Sequence, residues 1–164
     1  MVEISGWSSC ENVIDESDEW IPMSISWDVE VSGRLLYLRI SGKTGGEIEI
    51  KVSALTGSIH SFIVLEWPPE SSKDCASAPE TTIASAVPNI KMDIWGPAPL
   101  DLFRVRPVFI SAQLEMHRTR DEITVIIGCD TEITTSIECE FLSVGISRSG
   151  ELISFTKSNK PERG

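Results

Sequence analysis

Histidine, the side chain that most often acts as a catalytic base, occurs only twice in this chain of 164 residues, as His60 and His117. A serine or cysteine nucleophile needs such a base beside it, and neither histidine belongs to a motif that supplies one. The Gly-x-Ser-x-Gly nucleophile elbow is absent as well. The sequence therefore predicts that both imidazoles lie at the surface and that the chain has no hydrolase triad.

Carboxylates two residues apart are the second candidate for chemistry. They occur as Asp28/Glu30, Glu47/Glu49 and Glu138/Glu140. Two residues of a strand span about 6.7 Å, which lies inside the separation of about 5–9.5 Å between the carboxyl groups of glycosidases. Three such pairs on three predicted strands are nevertheless typical of solvated strand faces, where nothing raises the pKa of an acid. We therefore predict no catalytic residues and a protein that is not an enzyme.

Metal and cofactor motifs are also missing from the sequence. The four cysteines are Cys10, Cys75, Cys129 and Cys139. Their wide, irregular spacing without a C-x-x-C pair predicts reduced thiols rather than a zinc site or a disulfide framework. The Gly42-Lys43-Thr44 triplet lacks the upstream glycine of a phosphate loop, because Tyr37 stands five positions before Gly42. No metal ion and no cofactor is predicted.

Acidic residues are concentrated in the N-terminal part of the chain. The whole sequence has 25 acidic and 14 basic residues, a formal net charge of -11, and residues 1–33 hold eight acidic residues and no basic one. An acidic surface disfavours nucleic acid and anionic lipid, whose binding depends on Lys and Arg. It attracts basic proteins instead. We therefore predict a basic protein partner, no nucleic acid and no membrane.

The predicted binding residues are acidic side chains that can pair with Lys and Arg, together with one aromatic anchor. They are Asp15, Glu16, Asp18, Glu19, Trp20, Asp28 and Glu30. The alternative interpretation is a solvated and partly frayed entry segment, because charge runs usually behave in that way. The sequence alone leaves both interpretations open.

Hydrophobicity alternates with a period of two along most of the chain, which predicts strands rather than helices. The first predicted set of strands covers residues 23–31, 34–41, 47–55 and 59–67, and the second covers 109–118, 122–129, 136–146 and 151–157. A proline-rich connector, residues 68–108, joins the two halves. Short helices are expected after Ser8 and at residues 82–87, and an additional edge strand at 90–94.

The two halves, residues 23–67 and 109–157, are predicted to be duplicated four-stranded meanders. Residues 57–62 align with residues 150–155, which places Phe62 opposite Phe155, and residues 48–52 align with 137–141. The alternative is that any two alternating meanders resemble each other over so short a stretch.

The sequence thus predicts one all-β domain over residues 1–164, built as an antiparallel β-sandwich or a flattened barrel. It contains neither a run of about 18 apolar residues nor a secretory signal, which predicts a cytoplasmic protein. The leading functional hypothesis is a non-enzymatic, acidic protein-binding module, such as an immunity-type inhibitor that sequesters a basic nuclease toxin. One alternative is a small-molecule or carbohydrate binder or hydrolase with its site in the mouth of the β-fold. The other is a structural or assembly subunit that pairs through an edge strand.

Overall fold

A computed structural model describes residues 2–21, 23–30, 33–71, 78–96, 106–129 and 132–159. Its strands in chain order are β1 (Ile4–Ser9), β2 (Val13–Asp15), β3 (Met23–Trp27), β4 (Leu35–Gly42), β5 (Glu47–Ser53), β6 (Ile59–Glu66), β7 (Thr81–Ile83), β8 (Ala86–Ile90), β9 (Val108–Ala112), β10 (Leu114–Arg118), β11 (Glu122–Ile127), β12 (Thr135–Cys139), β13 (Leu142–Ile146) and β14 (Leu152–Ser158). A short 3-10 helix covers Met92–Trp95. Across these ranges, no helix has the length and apolar character needed to cross a membrane.

The strands form two six-stranded sheets and a two-stranded ribbon. The first sheet has the order β2-β3-β6-β5-β4-β9, the second has the order β10-β11-β14-β13-β12-β7, and the ribbon pairs β1 with β8. All pairings are antiparallel except β4 with β9 and β12 with β7. Each sheet has two different edge strands, so the fold is a sandwich-like arrangement and not a closed barrel. The all-β prediction is confirmed in its sandwich form.

Two phenylalanines lie at the centre of the core between the sheets. Phe62 on β6 and Phe155 on β14 are fully buried and stack on each other, with ring centroids 3.9 Å apart and an interplanar angle of 17°. Trp27 packs against Phe155 at a centroid distance of 6.2 Å. β3 is buried on both sides, whereas β4 and β5 bury one side more than the other, as the alternation predicts. On β5, for example, Ile48 and Ile50 are fully buried.

The predicted strand 136–146 is two strands, β12 and β13. Glu140 has a φ of 49°, and the chain reverses so that Cys139 pairs with Leu142. The apolar side chains change phase at this point, because they occupy odd positions before the turn and even positions after it. A single strand would have turned half of them away from the core. The predicted alignment of residues 48–52 with 137–141 is therefore wrong, because it joins one strand, β5, to a strand and its turn.

The predicted strand 109–118 is also divided, into β9 of the first sheet and β10 of the second. The strand predicted over 23–31 ends at Trp27.

The predictions for the remaining segments are corrected in three places. The expected N-terminal helix after Ser8 is wrong, because that residue lies on β1, which pairs with β8. The helix expected at 82–87 is wrong as well, since this stretch holds parts of β7 and β8, separated by Ser85 with a φ of 52°. The edge strand expected at 90–94 does not form, because β8 ends at Ile90 and the 3-10 helix begins at Met92. Residues 72–77 and 97–105 of the connector lie outside the described residues.

The two six-stranded sheets share one strand order. Replacing β2 to β6 of the first sheet by β10 to β14, in chain order, converts the first five positions of its order into those of the second. In each sheet, the strand at the far edge is parallel to its neighbour and comes from outside the meander. The duplication itself stays a prediction. A common strand order is what two copies of one unit would have.

Candidate functional site

An exposed acidic feature is the loop between β2 and β3, which we call the acidic tip (residues 16–21). It extends from the edge of the first sheet, where Asp15 pairs with Ile25. The pairing continues past β2, because the Glu16 N–H donates to the Ser24 carbonyl at 2.8 Å. The Ser17 hydroxyl oxygen accepts a bond from the Ser24 N–H at 2.9 Å. The base of the acidic tip is therefore fixed to β3.

Asp18 organises the outer part of the acidic tip. One oxygen of its carboxylate, Oδ1, accepts the N–H groups of Trp20 at 2.8 Å and Ile21 at 2.7 Å. The Asp18 N–H in turn donates to the Ile21 carbonyl at 3.0 Å. Short polar side chains at the start of a turn commonly hold the following N–H groups in this way. The loop is thus a bonded turn.

Trp20 stands at the end of this turn and is 83% exposed, the largest exposed fraction among the large apolar side chains of the described ranges. Glu16, Asp18 and Glu19 are exposed around it in the same loop. Soluble proteins bury most of the surface of an indole ring when it serves the core. This Trp20 side chain contributes little to the core, and the backbone that carries it is held by the bonds that Asp18 makes.

Asp15 is exposed, but its carboxylate takes part in the framework. Its carboxylate forms an ion pair with Lys157 on β14, and its Oδ1 accepts the Ser17 N–H at 3.0 Å. Burial alone would raise the pKa of Asp15, but the hydrogen bonds from Lys157 and Ser17 outweigh that effect and lower this pKa below its ordinary value. Asp15 therefore links the edge of the first sheet to the second sheet.

Asp28 and Glu30 lie at the opposite end of β3 from the acidic tip. The Asp28 N–H donates to the Asn12 carbonyl at 2.9 Å, beyond the Val13–Trp27 pair. The five residues of β3 span about 16 Å, which is more than the Debye length of about 8 Å at physiological ionic strength. The seven predicted binding residues therefore form two separate groups, and only Glu16, Asp18, Glu19 and Trp20 share the acidic tip.

The hairpin in the corresponding position of the second sheet differs in length and charge. It joins β10 to β11 through residues 119–121 only, and the Thr119 N–H donates to the Glu122 carbonyl at 2.9 Å. Two basic residues, Arg118 and Arg120, lie at this turn. The longer acidic loop with an exposed tryptophan is therefore a property of the first sheet alone.

A second surface feature is a cleft of about 280 Å³ on the outer face of the first sheet, lined by Tyr37, Arg39, Glu49, Pro107 and Phe109. Arg39 pairs with Glu49 across neighbouring strands, Nη2 to Oε2 at 2.7 Å. Phe109 is 68% exposed beside this pair. Sequence reasoning missed this cleft because it depends on the parallel pairing of β4 with β9, two strands far apart in the chain.

The histidines and cysteines do not assemble a metal site in the part of the chain that the structure describes. No group of three His, Cys, Asp or Glu side chains there has the arrangement of a metal site. His117 Nδ1 lies 3.2 Å from the Ser71 carbonyl. His60 is half-buried with its Nδ1 shielded from solvent, so the prediction of a surface imidazole is wrong for that ring.

Comparison of the chain with protein-family models and with curated protein sequences found no match.

Proposed function

We propose that this protein is a non-enzymatic binding module that sequesters a basic protein through its acidic tip, in the manner of an immunity-type inhibitor of a nuclease toxin. The observation that carries the proposal is Trp20, an almost fully exposed indole among the carboxylates of Glu16, Asp18 and Glu19. Tryptophan is enriched among the residues that dominate binding energy in protein interfaces. Carboxylates around such an anchor favour a partner that is rich in Lys and Arg.

The internal bonds of the acidic tip support this proposal. A loop that must be ordered during binding loses conformational entropy, and this loss weakens the affinity. Here Asp18 holds the N–H groups of Trp20 and Ile21, and Ser17 holds that of Ser24. The backbone that carries the Trp20 side chain is therefore ordered before any partner arrives.

The charge distribution adds an expectation about the kinetics. With a net charge of -11, the whole molecule attracts a basic protein and raises its association rate. Asp28 and Glu30, at the far end of β3, contribute to this long-range attraction but not to the contact made by the acidic tip. Binding is expected to weaken steeply with salt, because exposed charges are screened. We propose that nucleic acid and membranes are not ligands and that the protein acts in the cytoplasm.

We also propose that the two halves arose by duplication of one unit. Support comes from the common strand order of the two six-stranded sheets. The sequence alignment that equates Phe62 with Phe155 pairs two rings that stack on each other in the core. In this proposal, the acidic tip is a feature that only the first copy carries, as expected of a surface under separate functional selection.

The experiment is affinity capture from the cells that naturally make the protein, at low and at high salt, with three forms of it as bait. The first is wild type. The second carries Glu16→Gln, Asp18→Asn and Glu19→Gln, which keep the side-chain oxygens and leave Asp15 in its ion pair. The third carries Asp121→Asn, Glu122→Gln and Glu140→Gln, which change exposed residues elsewhere and remove the same charge.

The proposal expects one basic protein that wild type and the third form retain at low salt, and that the second form loses. Loss of the partner from both variants would mean that net charge alone attracts it. Retention by the second form would place the contact elsewhere and contradict the proposal.

A second candidate function is the binding of a small molecule or carbohydrate in the cleft on the first sheet. The observation in its favour is the pair of exposed aromatic rings, Tyr37 and Phe109, on either side of the ion-paired Arg39. A thermal-shift screen with saccharides tests it, with Phe109→Ala as the control variant. A ligand that raises the melting temperature of wild type but not that of Phe109→Ala supports this candidate.

Assembly through an edge strand has less support. On β10, the Met116 backbone exchanges hydrogen bonds with Pro69 and Ser71, at 2.9 and 2.7 Å, so this edge of the second sheet is already occupied there.

A further inference from the structure

Two cysteines that are 129 positions apart in the sequence meet inside the protein. Cys10 follows β1 and Cys139 ends β12, and both are buried free thiols. Their Sγ atoms are 3.6 Å apart, and the Cys139 thiol also lies 3.2 Å from the Cys10 carbonyl oxygen. The backbone beside them is fixed, because the Cys10 N–H donates to the Ser85 carbonyl at 3.0 Å.

We propose that Cys10 and Cys139 form a dithiol site that is converted to a disulfide by exchange with a low-molecular-weight disulfide such as oxidised glutathione. A disulfide bond is about 2.05 Å long, so the two sulfurs must approach each other by about 1.5 Å from their separation of 3.6 Å. This inference is independent of the binding proposed for the acidic tip.

The exchange proceeds in two balanced steps. The Cys10 thiol loses its proton and attacks one sulfur of oxidised glutathione, which forms a mixed disulfide and releases one glutathione thiolate. The Cys139 thiolate then attacks the Cys10 sulfur and releases the second glutathione. The two cysteines together lose two protons and two electrons, and oxidised glutathione takes up both electrons as it becomes two molecules of glutathione.

Burial makes this exchange slow in the folded protein. It raises the pKa of the Cys139 thiol to about 12, with a further contribution from the neighbouring Cys10. Only the thiolate is reactive, so the rate is expected to rise about tenfold for each pH unit in the neutral range. Cys129 is exposed and serves as the internal reference thiol.

The disulfide would connect the start of the chain to the second sheet, three residues before β2 begins. A link across so long a loop restricts the unfolded chain strongly. We expect the melting temperature to rise by roughly 5–15 °C on oxidation. β2, whose end carries the acidic tip, would then be fixed to the second sheet through a covalent bond as well as through the Asp15–Lys157 ion pair.

The test is to incubate the full chain with oxidised glutathione in two ways, as the folded protein and during refolding from urea. The products are quenched with acid, alkylated under denaturing conditions and mapped by mass spectrometry, and the melting temperature is measured. Cys139→Ala and Cys129→Ala are the matched variants.

The expected product is a Cys10–Cys139 peptide pair in wild type and in Cys129→Ala, with the rise in melting temperature, and neither in Cys139→Ala. Formation only during refolding also supports the site and shows that burial limits the rate. The proposal is overturned if both thiols stay reduced in both arms, or if Cys10 is joined to another cysteine.

Discussion

Replacement of Phe155 by alanine is expected to destabilise the protein more than any change at the surface. The ring is fully buried and stacks on Phe62 at 3.9 Å, and it also contacts Trp27. Removing a buried phenylalanine costs the transfer free energy of its atoms and leaves a cavity, together about 3–5 kcal/mol. For a domain of this size, 1 kcal/mol corresponds to about 2–4 °C. The melting temperature should therefore fall by roughly 6–20 °C.

The assay is thermal and urea unfolding followed by circular dichroism, on Phe62→Ala, Phe155→Ala and the double variant. Because the two rings contact each other, the free energies of the single changes should not add, and the coupling should be about 0.5–1.5 kcal/mol. Phe109→Ala is the matched control, since the same side chain is removed from an exposed position, where we expect a change within about 0.5 kcal/mol.

Two results would refute this reasoning. If Phe155→Ala lowered the melting temperature no more than Phe109→Ala, the sheets would not pack through this ring. If the two single changes were additive within about 0.3 kcal/mol, Phe62 and Phe155 would not be in contact.

Two further predictions concern the links between elements. Asp15→Asn should cost about 1 kcal/mol or less at pH 7. Since the pKa of Asp15 is lowered, its ionisation stabilises the fold above the ordinary pKa of 3.8, and this stability is lost as the pH falls below that value. The variant should therefore show a flatter acid-unfolding curve than wild type. An identical curve would contradict the ion pair with Lys157. Gly57→Ala should cost about 2–5 kcal/mol, because its φ is 75° and the new Cβ would lie 2.4 Å from the Ile90 carbonyl oxygen. Gly150→Ala, at a φ of 84° with the nearest atom, the Ile4 carbonyl oxygen, 4.0 Å from the new Cβ, should cost only about 1–2 kcal/mol. Equal losses in urea unfolding would argue against the close approach at Gly57.

The strands within each meander could be predicted because alternation is a local signal. On β5, Ile48, Ile50 and Val52 alternate with charged residues, and the strand forms as expected. The turn at Glu140 had a signal that our sequence analysis missed, the change of phase between Cys139 and Leu142.

The parallel pairing of the edge strands β7 and β9 had no such signal. β7 and β9 are parallel partners of strands far away in the chain, and parallel pairing leaves no mark on the spacing of neighbouring residues. The sequence also gives no sign of the division between β9 and β10, because the apolar side chains keep the same phase from Val108 to Met116.

The candidate site was predictable in its composition and not in its geometry. The concentration of carboxylates can be read from the sequence, as can Trp20 among them. The sequence does not show that Lys157 pairs with Asp15 or that Asp18 holds the backbone N–H of Trp20. These contacts depend on the pairing of β2 with β3 and on the approach of β14. The same pairing separates Asp28 from the acidic tip.

The central claim is that the acidic tip contacts a basic protein, and site-specific photocross-linking tests it most directly. A benzophenone amino acid would replace either Trp20 or Trp7 in the cells that naturally make the protein. Trp7 is the matched control because it is 57% exposed and lies on β1, beside the start of β6, where Ser8 Oγ is 3.1 Å from Ser58 Oγ. The acidic tip lies at the other end of β6, where Met23 pairs with Val64.

The account predicts that illumination joins position 20, and not position 7, to one protein that mass spectrometry identifies as basic. The adduct should disappear when Glu16 and Glu19 are changed to glutamine. No adduct at position 20, or the same adducts at both positions, would contradict the account.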